Sequence, residues 1–204
     1  MATSTTIAVG ICAILTSFAL FAALGHLVSS RSSLLAFDAR AVVARGAFVE
    51  LAIVFTWLGY WHALTALSVL ILSAAAFFHL GFERALLLVA VQGASQLTLN
   101  FWKTVYRRAR PDAWLFRYET TFSYPSGHSA TALTFYLALL LSVAHLPIGS
   151  GPRTVCELLL GCAVVGLPWS RIALGAHYPS DVLGGLLYGG AWLSLFLTVS
   201  ALLA

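Results

Sequence analysis

Charged side chains are scarce in this chain of 204 residues: 9% are Asp, Glu, Lys or Arg, whereas 60% are hydrophobic. Soluble domains carry about 25% charged residues, because water has to solvate their surface. This scarcity excludes an ordinary soluble globule, and the apolar content, with 13% aromatic residues, excludes a disordered chain. The hydrophobic residues form unbroken blocks instead of alternating with polar ones, which argues against a transmembrane β-barrel. The composition predicts an all-α polytopic membrane protein.

Carboxylates and cysteines are few. The seven acidic residues are spread along the chain, and no two of them are closer than five residues. Because a two-metal catalytic site needs clustered oxygen ligands, the sequence predicts that no metal is used, and it indicates no other cofactor. The three cysteines, Cys12, Cys156 and Cys162, have no CxxC spacing, and we expect them to be buried, unreactive thiols.

Lysine is almost absent. The single lysine, Lys103, begins a fifteen-residue segment that holds five of the eleven basic residues. The other four are Arg107, Arg108, Arg110 and Arg117. Such a cluster favours an anionic partner, either lipid headgroups or a phosphate substrate, and does not indicate nucleic-acid binding. We interpret Arg107, Arg108 and Arg117 as contacts to lipid headgroups.

Six apolar segments are candidates to cross a bilayer, which takes about 20 residues. They are residues 7–28, 59–78, 85–102, 129–146, 154–169 and 182–203. No basic residue precedes the first segment, so we interpret it as a retained helix and not as a cleaved signal peptide. Residues 51–57 lead into the second segment. The more polar stretch 37–49 predicts an additional helix at the membrane interface.

The number of spans decides which loops can meet. Six spans put both termini on one side, and they put the loops 103–128 and 170–181 on one shared face. We treat residues 1–204 as a single membrane-embedded domain with its active site in these two loops. The GxxxG spacing of Gly185 and Gly189 predicts close packing of the last helix. Five tryptophans near predicted helix ends indicate an interfacial belt: Trp57, Trp61, Trp102, Trp114 and Trp169.

Three polar clusters fall on the shared face: KTVYRRARP at 103–111, PSGH at 125–128 and SRIALGAHYPSD at 170–181. The fixed positive charges and N–H donors of Lys103, Arg110 and Arg171 suit a phosphate dianion. Ser126 and Gly127 stand where the fourth helix begins, and a helix N-terminus presents backbone N–H groups to an anion. The three clusters together therefore predict a phosphate site.

Two histidines in these clusters can react near neutral pH. His128 and His177 are each able to act as acid, base or nucleophile. Asp181 follows His177 by four residues, a spacing that on a helical turn puts the carboxylate beside the imidazole and holds one tautomer. Each cluster alone has an ordinary explanation as a topology signal, a helix cap or a structural histidine. Their coincidence on one face favours a catalytic site.

The order and spacing of K-x6-RP, PSGH and SR-x5-H-x3-D closely resemble the type 2 phosphatidic acid phosphatase superfamily, also called lipid phosphate phosphatases. All eleven fixed motif positions are present. The resemblance implies a helical core, no metal, and hydrolysis through a phosphohistidine. It further implies that His177 is the nucleophile, that Asp181 orients it, and that His128 protonates the leaving group. The phosphate cradle that it implies consists of Lys103, Arg110, Ser126, Gly127 and Arg171.

The sequence therefore predicts an integral-membrane lipid phosphatase of bacterial type, whose partners are a membrane lipid substrate and the bilayer, with no nucleic acid. The expected substrates are undecaprenyl diphosphate, phosphatidylglycerophosphate or a related lipid phosphate, with the isoprenoid diphosphate favoured. One alternative is a lipid phosphotransferase of the same superfamily. A soluble vanadate haloperoxidase disagrees with the composition, and a non-enzymatic membrane transporter has no need for two histidines and an aspartate at these spacings.

The expected location is the bacterial cytoplasmic (inner) membrane, with the active site facing outward. Nearly all basic residues lie on the motif face, so the positive-inside rule alone favours a cytoplasmic site. The resemblance implies an outward-facing site in many bacterial members. We give it more weight because the motif charges serve the phosphate, while Arg84 and Arg153 remain for the opposite side.

Overall fold

A computed structural model of the protein describes residues 4–30, 35–39, 47–112, 115–117 and 119–203. In these ranges the regular structure is helical, and no strand occurs. The helices are α1 (Ser4–Ser30), α2 (Ala36–Ala39), α3 (Ala47–Leu58), α4 (Trp61–Phe77), α5 (Phe82–Tyr106), α6 (Gly127–Thr131), α7 (Ala138–Val143), α8 (Ser150–Ala173) and α9 (Pro179–Leu202). A π-helical segment, Ala132–Leu137, joins α6 to α7. The predicted all-α class is confirmed.

Four helices, α1, α5, α8 and α9, are long and apolar enough to cross a membrane. The pair α3 and α4 forms a fifth candidate, bent by 53° between its two halves. The helix Gly127–Val143 is also apolar but shorter. Large apolar side chains cover the outside of the bundle, among them Phe77 and Leu97 at 78% exposure. An outer surface of this kind suits lipid and not water.

The bend between α3 and α4 contacts α6 and the π-helical segment. Helix α3 ends at Leu58, whose carbonyl accepts a hydrogen bond from the Tyr136 hydroxyl at 2.7 Å instead of continuing the helix. The next residue is Gly59, where a β-carbon would overlap the ring of His128. A glycine at this position therefore lets the bend approach the PSGH cluster closely.

Small residues also set the distance between α9 and α6. A β-carbon at Gly185 would collide with the backbone of Ser126, and one at Gly189 with the backbone of Ala130. The close packing predicted from the GxxxG spacing is confirmed. Beside this contact, Phe21 of α1 stacks on Tyr124 with ring centroids 5.6 Å apart, and both side chains are fully buried. These contacts fix the start of α6 against the start of α9.

Several boundaries differ from the predictions. Residues 51–57, predicted as a lead-in, are part of α3, which is apolar and packs along α8. Most of the predicted interfacial helix 37–49 lies outside the described residues, as does Trp114. Helices α5 and α8 continue past their predicted ends, so Lys103 and Arg171 lie in last helical turns instead of loops.

The prediction of buried cysteines is wrong for the two thiols on the outer surface. Cys12 and Cys162 are exposed, and Cys156 is intermediate. In a membrane-spanning bundle, apolar residues such as cysteine also face outward, because lipid tails solvate them as well as a core does.

Candidate active site

The predicted site residues meet at one end of the bundle. Here α5 and α8 end, α6 and α9 begin, and the loop after α5 crosses over them. The helix termini bring together all eight predicted positions: Lys103, Arg110, Ser126, Gly127, His128, Arg171, His177 and Asp181. Most of these side chains are buried, including Arg171 at 1% and His177 at 2% exposure. The shared face predicted for the two loops is therefore present.

A serine joins His177 to Asp181. The Ser123 hydroxyl donates to Asp181 Oδ2 at 2.5 Å and lies 3.3 Å from His177 Nδ1. Asp181 Oδ2 itself is 3.7 Å from Nδ1. The single hydroxyl proton of Ser123 points to the carboxylate, so its oxygen accepts the proton of Nδ1. This arrangement puts the imidazole proton on Nδ1 and leaves Nε2 as the acceptor of the ring.

The other ring nitrogen of His177 faces an arginine. Arg110 Nη1 lies 3.0 Å from Nε2 and also donates to the Ala176 carbonyl at 2.9 Å. A guanidinium has only donors, so Nε2 accepts, which agrees with the proton on Nδ1. Burial, followed by the charge of Arg110, lowers the pKa of His177 well below its usual 6.5. The imidazole is therefore neutral at physiological pH.

One carboxylate links two of the predicted phosphate ligands. Glu119 accepts from Arg110 Nη2 at 2.7 Å and from Arg171 Nη2 at 2.5 Å. Burial alone would raise the pKa of Glu119, but the two arginines hold it below its ordinary value. Arg171 Nε, which is buried, has no hydrogen-bond partner among the described residues. The pair of guanidiniums thus already binds an anionic group.

Thr121 ties Lys103 to the same arginine. Its hydroxyl accepts from Lys103 Nζ at 3.1 Å and from Arg110 Nη2 at 3.0 Å. Its carbonyl accepts from Arg110 Nε at 2.7 Å. Three cationic side chains, Lys103, Arg110 and Arg171, therefore converge beside His177, an arrangement that can neutralise a phosphoryl group in its transition state.

His128 contacts the end of α3 and the bend that follows it. Its Nε2 is 3.1 Å from the carbonyl oxygen of Thr56, which can only accept. The Thr56 hydroxyl is hydrogen-bonded to Arg171 Nη1. The Tyr60 ring meets the imidazole edge-to-face at 5.1 Å. Residues of α3 and of the bend that follows it thus orient both His128 and Arg171.

The polar groups of Ser126, at the start of α6, already have hydrogen-bond partners within the protein. The Ser126 amide donates to the Asp181 carbonyl at 3.0 Å, and its hydroxyl accepts from Ser129 at 3.0 Å. A phosphate would have to take this amide from Asp181 in order to use it. The phosphate-binding roles of Ser126 and Gly127 stay predictions.

The interpretation of Arg108 as a headgroup contact is wrong. Its side chain is 8% exposed and bonds to two buried carboxylates, those of Asp38 and Asp181. Arg107 and Arg117 are exposed as expected. Besides Arg108, the motif spacing missed Ser123, Thr121 and Thr56. No local sequence signal marks Thr56 or Asp38, because they reach the site from other helices.

Metal ligands are not grouped in the described part of the chain, where no three His, Cys, Asp or Glu side chains come together as a metal site requires. The donors around His177 are instead cationic nitrogens, which repel a metal ion and attract a phosphate. Hydrolysis without a metal stays a prediction.

Comparison with known proteins gives a consistent set of relatives. The profile of the PAP2 superfamily matches residues 84–202, more than half of the chain. Phosphatidylglycerophosphatase B of Bacillus subtilis (strain 168) is 36% identical over 123 residues, which are 59% of this chain and 60% of that protein. Undecaprenyl-diphosphatase BcrC of the same organism is 30% identical over 131 residues, 61% of this chain and 63% of that protein. These alignments span less than two thirds of either relative.

The whole bundle resembles a solved structure. The crystal structure of a transmembrane PAP2-type phosphatidylglycerolphosphate phosphatase from Bacillus subtilis superposes with a TM-score of 0.79 at 28% identity. The match covers 94% of this chain and 98% of that one. Together with the long apolar helices, this likeness identifies an integral membrane protein.

Proposed function

Because the chain belongs to the PAP2 superfamily, we propose that it is an integral-membrane phosphatase that removes phosphate from a lipid phosphate or diphosphate through a phosphohistidine, without a metal. The observation that carries the proposal is the set of groups that face the two ring nitrogens of His177. Its Nδ1 proton is held by Ser123 and Asp181, and its Nε2 lone pair is directed at Arg110, the cation best placed to bring a phosphate to it.

The reaction has two displacements. The Nε2 lone pair of His177 attacks phosphorus, and the bond from phosphorus to the leaving oxygen breaks while His128 gives that oxygen a proton. Water then attacks phosphorus while His128 takes a proton from it. The bond from phosphorus to Nε2 breaks, its electron pair returns to His177, and inorganic phosphate leaves. Asp181 stabilises the positive charge that develops on the His177 ring.

The cationic side chains serve the phosphoryl oxygens. Lys103, Arg110 and Arg171 bind them and spread the negative charge of the transition state, with Ser126 and Gly127 as backbone donors at the start of α6. The unused Nε donor of Arg171 supports this role. In this proposal the substrate phosphate replaces the Glu119 carboxylate between the two arginines.

The substrate class follows from the relatives. One is named a phosphatidylglycerophosphatase, and another an undecaprenyl-diphosphatase. We infer that this chain acts on one of these lipids, with the isoprenoid diphosphate first. Residues 1–204 form one domain with six spans in this proposal: α1, the bent pair α3–α4, α5, Gly127–Val143, α8 and α9. The membrane is the bacterial cytoplasmic membrane, with the site facing outward.

A panel of lipid phosphates tests the proposal. The purified protein in detergent is assayed for phosphate release from undecaprenyl diphosphate, phosphatidylglycerophosphate, phosphatidic acid and lipid A. We expect release of inorganic phosphate and, after rapid quenching with a ³²P-labelled substrate, an acid-labile, base-stable label that His177→Ala lacks. A phosphorylated lipid acceptor would indicate a phosphotransferase. Absence of release from every substrate would favour a non-enzymatic membrane protein.

A further inference from the structure

Arg108 lies between two buried carboxylates. Its Nη1 donates to Asp181 Oδ1 at 2.6 Å and its Nη2 to Asp38 Oδ2 at 2.8 Å, and both carboxylate side chains are 0% exposed. The guanidinium carbon is 4.5 Å from the centroid of the Tyr178 ring. With both of its ends occupied by carboxylates, this arginine does not serve the substrate or the lipid surface directly. Its partners connect it instead to His177.

Asp38 connects Arg108 to the start of α9 by hydrogen bonds. Its Oδ1 accepts the Ser180 amide at 2.9 Å, and its Oδ2 accepts the Ser180 hydroxyl at 2.6 Å. Ser180 is the second residue of α9 after Pro179, which has no N–H, so the carboxylate of α2 caps a helix to which it does not belong. The same helix turn carries Asp181, whose position is therefore fixed from two directions.

We propose that Arg108 and Asp38 are positioning residues that keep Asp181 ionised and thereby keep the imidazole proton of His177 on Nδ1. They complete a buried chain of hydrogen bonds in which Asp38, Arg108, Asp181, Ser123 and His177 follow one another. The inference rests on the proposed function, because the tautomer affects catalysis only if His177 attacks phosphorus.

The direction in which these hydrogen bonds donate depends on the charge of Asp181. As a carboxylate, Asp181 accepts from Ser123, and Ser123 accepts from Nδ1. A buried carboxylate that loses its counter-ion takes up a proton from solvent. It then donates to Ser123, whose own proton turns toward Nδ1 of His177. The Nδ1 proton is released to solvent and Nε2 takes up a proton in its place. Arg110 Nη1 then keeps its bond to the Ala176 carbonyl but gives up the one to Nε2, and the lone pair required for attack is lost.

Other charges face Asp181 as well and limit the size of the effect. They are Lys103 at the end of α5, Arg110 in the following loop, Asp38 on α2, and the titratable rings of Tyr124, His177 and Tyr178. Arg108, in contrast to Lys103 and Arg110, hydrogen-bonds directly to the carboxylate. Lys103 and Arg110 are engaged with Thr121 and Glu119, so they do not replace it.

The test compares Arg108→Gln with the double variant Asp38→Asn/Arg108→Gln. The double variant removes both charges, so that no unpaired Asp38 remains if the single change prevents folding. At pH 7 we expect kcat to fall about 10²-fold or more, as for other wrong-tautomer histidines, with KM nearly unchanged. Raising the pH removes the added proton from Asp181, so activity returns in part. An equal loss of kcat at every pH would show a purely structural role and overturn the proposal.

A second measurement does not depend on turnover. The ring ¹⁵N shifts of His177 are recorded in protein labelled with [¹⁵N]histidine in nanodiscs and assigned by comparison with His177→Asn. We expect the Nδ1–H form in the native protein and the Nε2–H form in both Arg108 variants. If the native protein releases no phosphate but these shifts change as expected, the proposed function fails and the positioning role stands. An unchanged Nδ1–H form in the variants overturns the positioning role, whatever the activity.

Arg107→Gln is the matched control. Arg107 is the neighbouring residue and is exposed, and its Nε donates to the Thr104 carbonyl at 3.0 Å, away from the carboxylates. The same chemical change here should leave kcat, its pH profile and the His177 shifts as in the native protein. Equal effects of the two changes would show that loss of any nearby positive charge is enough, which contradicts a specific role of Arg108.

Discussion

The Glu119 carboxylate accepts a hydrogen bond from Arg171 Nη2 at 2.5 Å. Glu119 is the more accessible of the two residues, because 22% of its side chain is exposed and only 2% of the Arg171 side chain is. It also binds Arg110, so both arginines assigned to the phosphate are paired with an internal anion. In the proposed mechanism an incoming phosphate therefore competes with Glu119 for the same donors.

Glu119→Gln removes the charge of this competitor. We expect vanadate and inorganic phosphate to inhibit at about tenfold lower concentration, because a charge-assisted hydrogen bond contributes about 1.5–3 kcal/mol and the substrate no longer has to displace it. Inhibition constants measured at constant ionic strength check the prediction. Asp112→Asn is the control, since it removes an exposed carboxylate from the same loop. Weaker inhibition in Glu119→Gln would mean that Glu119 orders the arginines instead of competing.

The two histidines should respond differently to the leaving group. His177→Ala removes the nucleophile, so we expect no turnover with any substrate. His128→Ala removes the acid, which contributes about 10²–10⁴-fold for an alkyl phosphate and much less for p-nitrophenyl phosphate, whose leaving group needs no proton. The rate of the first turnover with each ester separates these cases. His145→Ala is the control, because His145 is exposed and lies beyond the end of α7. Equal losses in His128→Ala with both esters would contradict its role as an acid.

The motif spacing predicted most of the proposed site residues but few of the residues that hold them in place. Lys103, Arg110, Arg171, His177 and Asp181 could be placed together because helix ends and a fixed number of spans determine which loops meet. The hydrogen bonds between loops could not be predicted. Asp181 was expected to contact His177 directly, and yet Ser123 lies between them.

Other parts of the site depend on tertiary packing. Thr56 and Asp38 precede the first motif residue by about 50 residues or more, and only the packing of α3 on α8 and of α2 on α9 brings them to the site. Arg108 was misassigned for the same reason, because its buried partner Asp38 could not be recognised in a polar stretch. The bend at Gly59 likewise depends on the position of the His128 ring, which no local pattern encodes.

Metal removal should leave the activity intact. The phosphoryl charge is met by guanidinium, ammonium and backbone donors in the proposed mechanism, so we expect the same rate in EDTA as in buffer alone. Vanadate should inhibit, because its trigonal bipyramid resembles the phosphoryl transition state. Phosphate release is measured after dialysis against EDTA, with and without added Mg²⁺. Loss of activity that Mg²⁺ restores would exclude the metal-free mechanism.

The stability of the protein should fall as the pH falls below 6.5. The pKa of His177 is lowered by burial and by Arg110, so the folded state keeps this imidazole neutral while the unfolded state protonates it at about 6.5. The unfolded state thus binds more protons below this pH, and stability present above 6.5 is lost by up to about 1.4 kcal/mol per pH unit. We expect Tm in detergent to drop less between pH 7.5 and 5.5 in His177→Asn than in the native protein. An identical drop in both would show that His177 is not the group responsible.

The substrate should reach the site from within the membrane. Large apolar side chains are exposed at the height of the proposed catalytic residues: Phe101 and Val105 on the last turns of α5 and Leu183 near the start of α9 are 60%, 49% and 45% exposed. They are each two residues away from Lys103 or Asp181 along their helices. We therefore expect hydrocarbon to surround the bundle up to the level of the proposed phosphate site, so that a lipid phosphate can keep its chain in the membrane while its headgroup binds.

Chain length tests this route. Each CH₂ group that stays in an apolar environment contributes about 0.8 kcal/mol, so we expect kcat/KM to rise steeply along a series of phosphates with one headgroup and increasing chain length. The series is assayed in mixed micelles at a fixed surface fraction, so that partitioning into the micelle does not imitate specificity. Leu183→Ser and Val105→Ser make the surface beside the site polar. We expect them to reduce kcat/KM for long chains more than for short ones. Leu97→Ser, at an exposed position of α5 farther from the site, is the control and should not have this effect. If a short soluble phosphate equals the long-chain lipid in kcat/KM, the pocket takes its substrate from water and the protein is a general phosphatase.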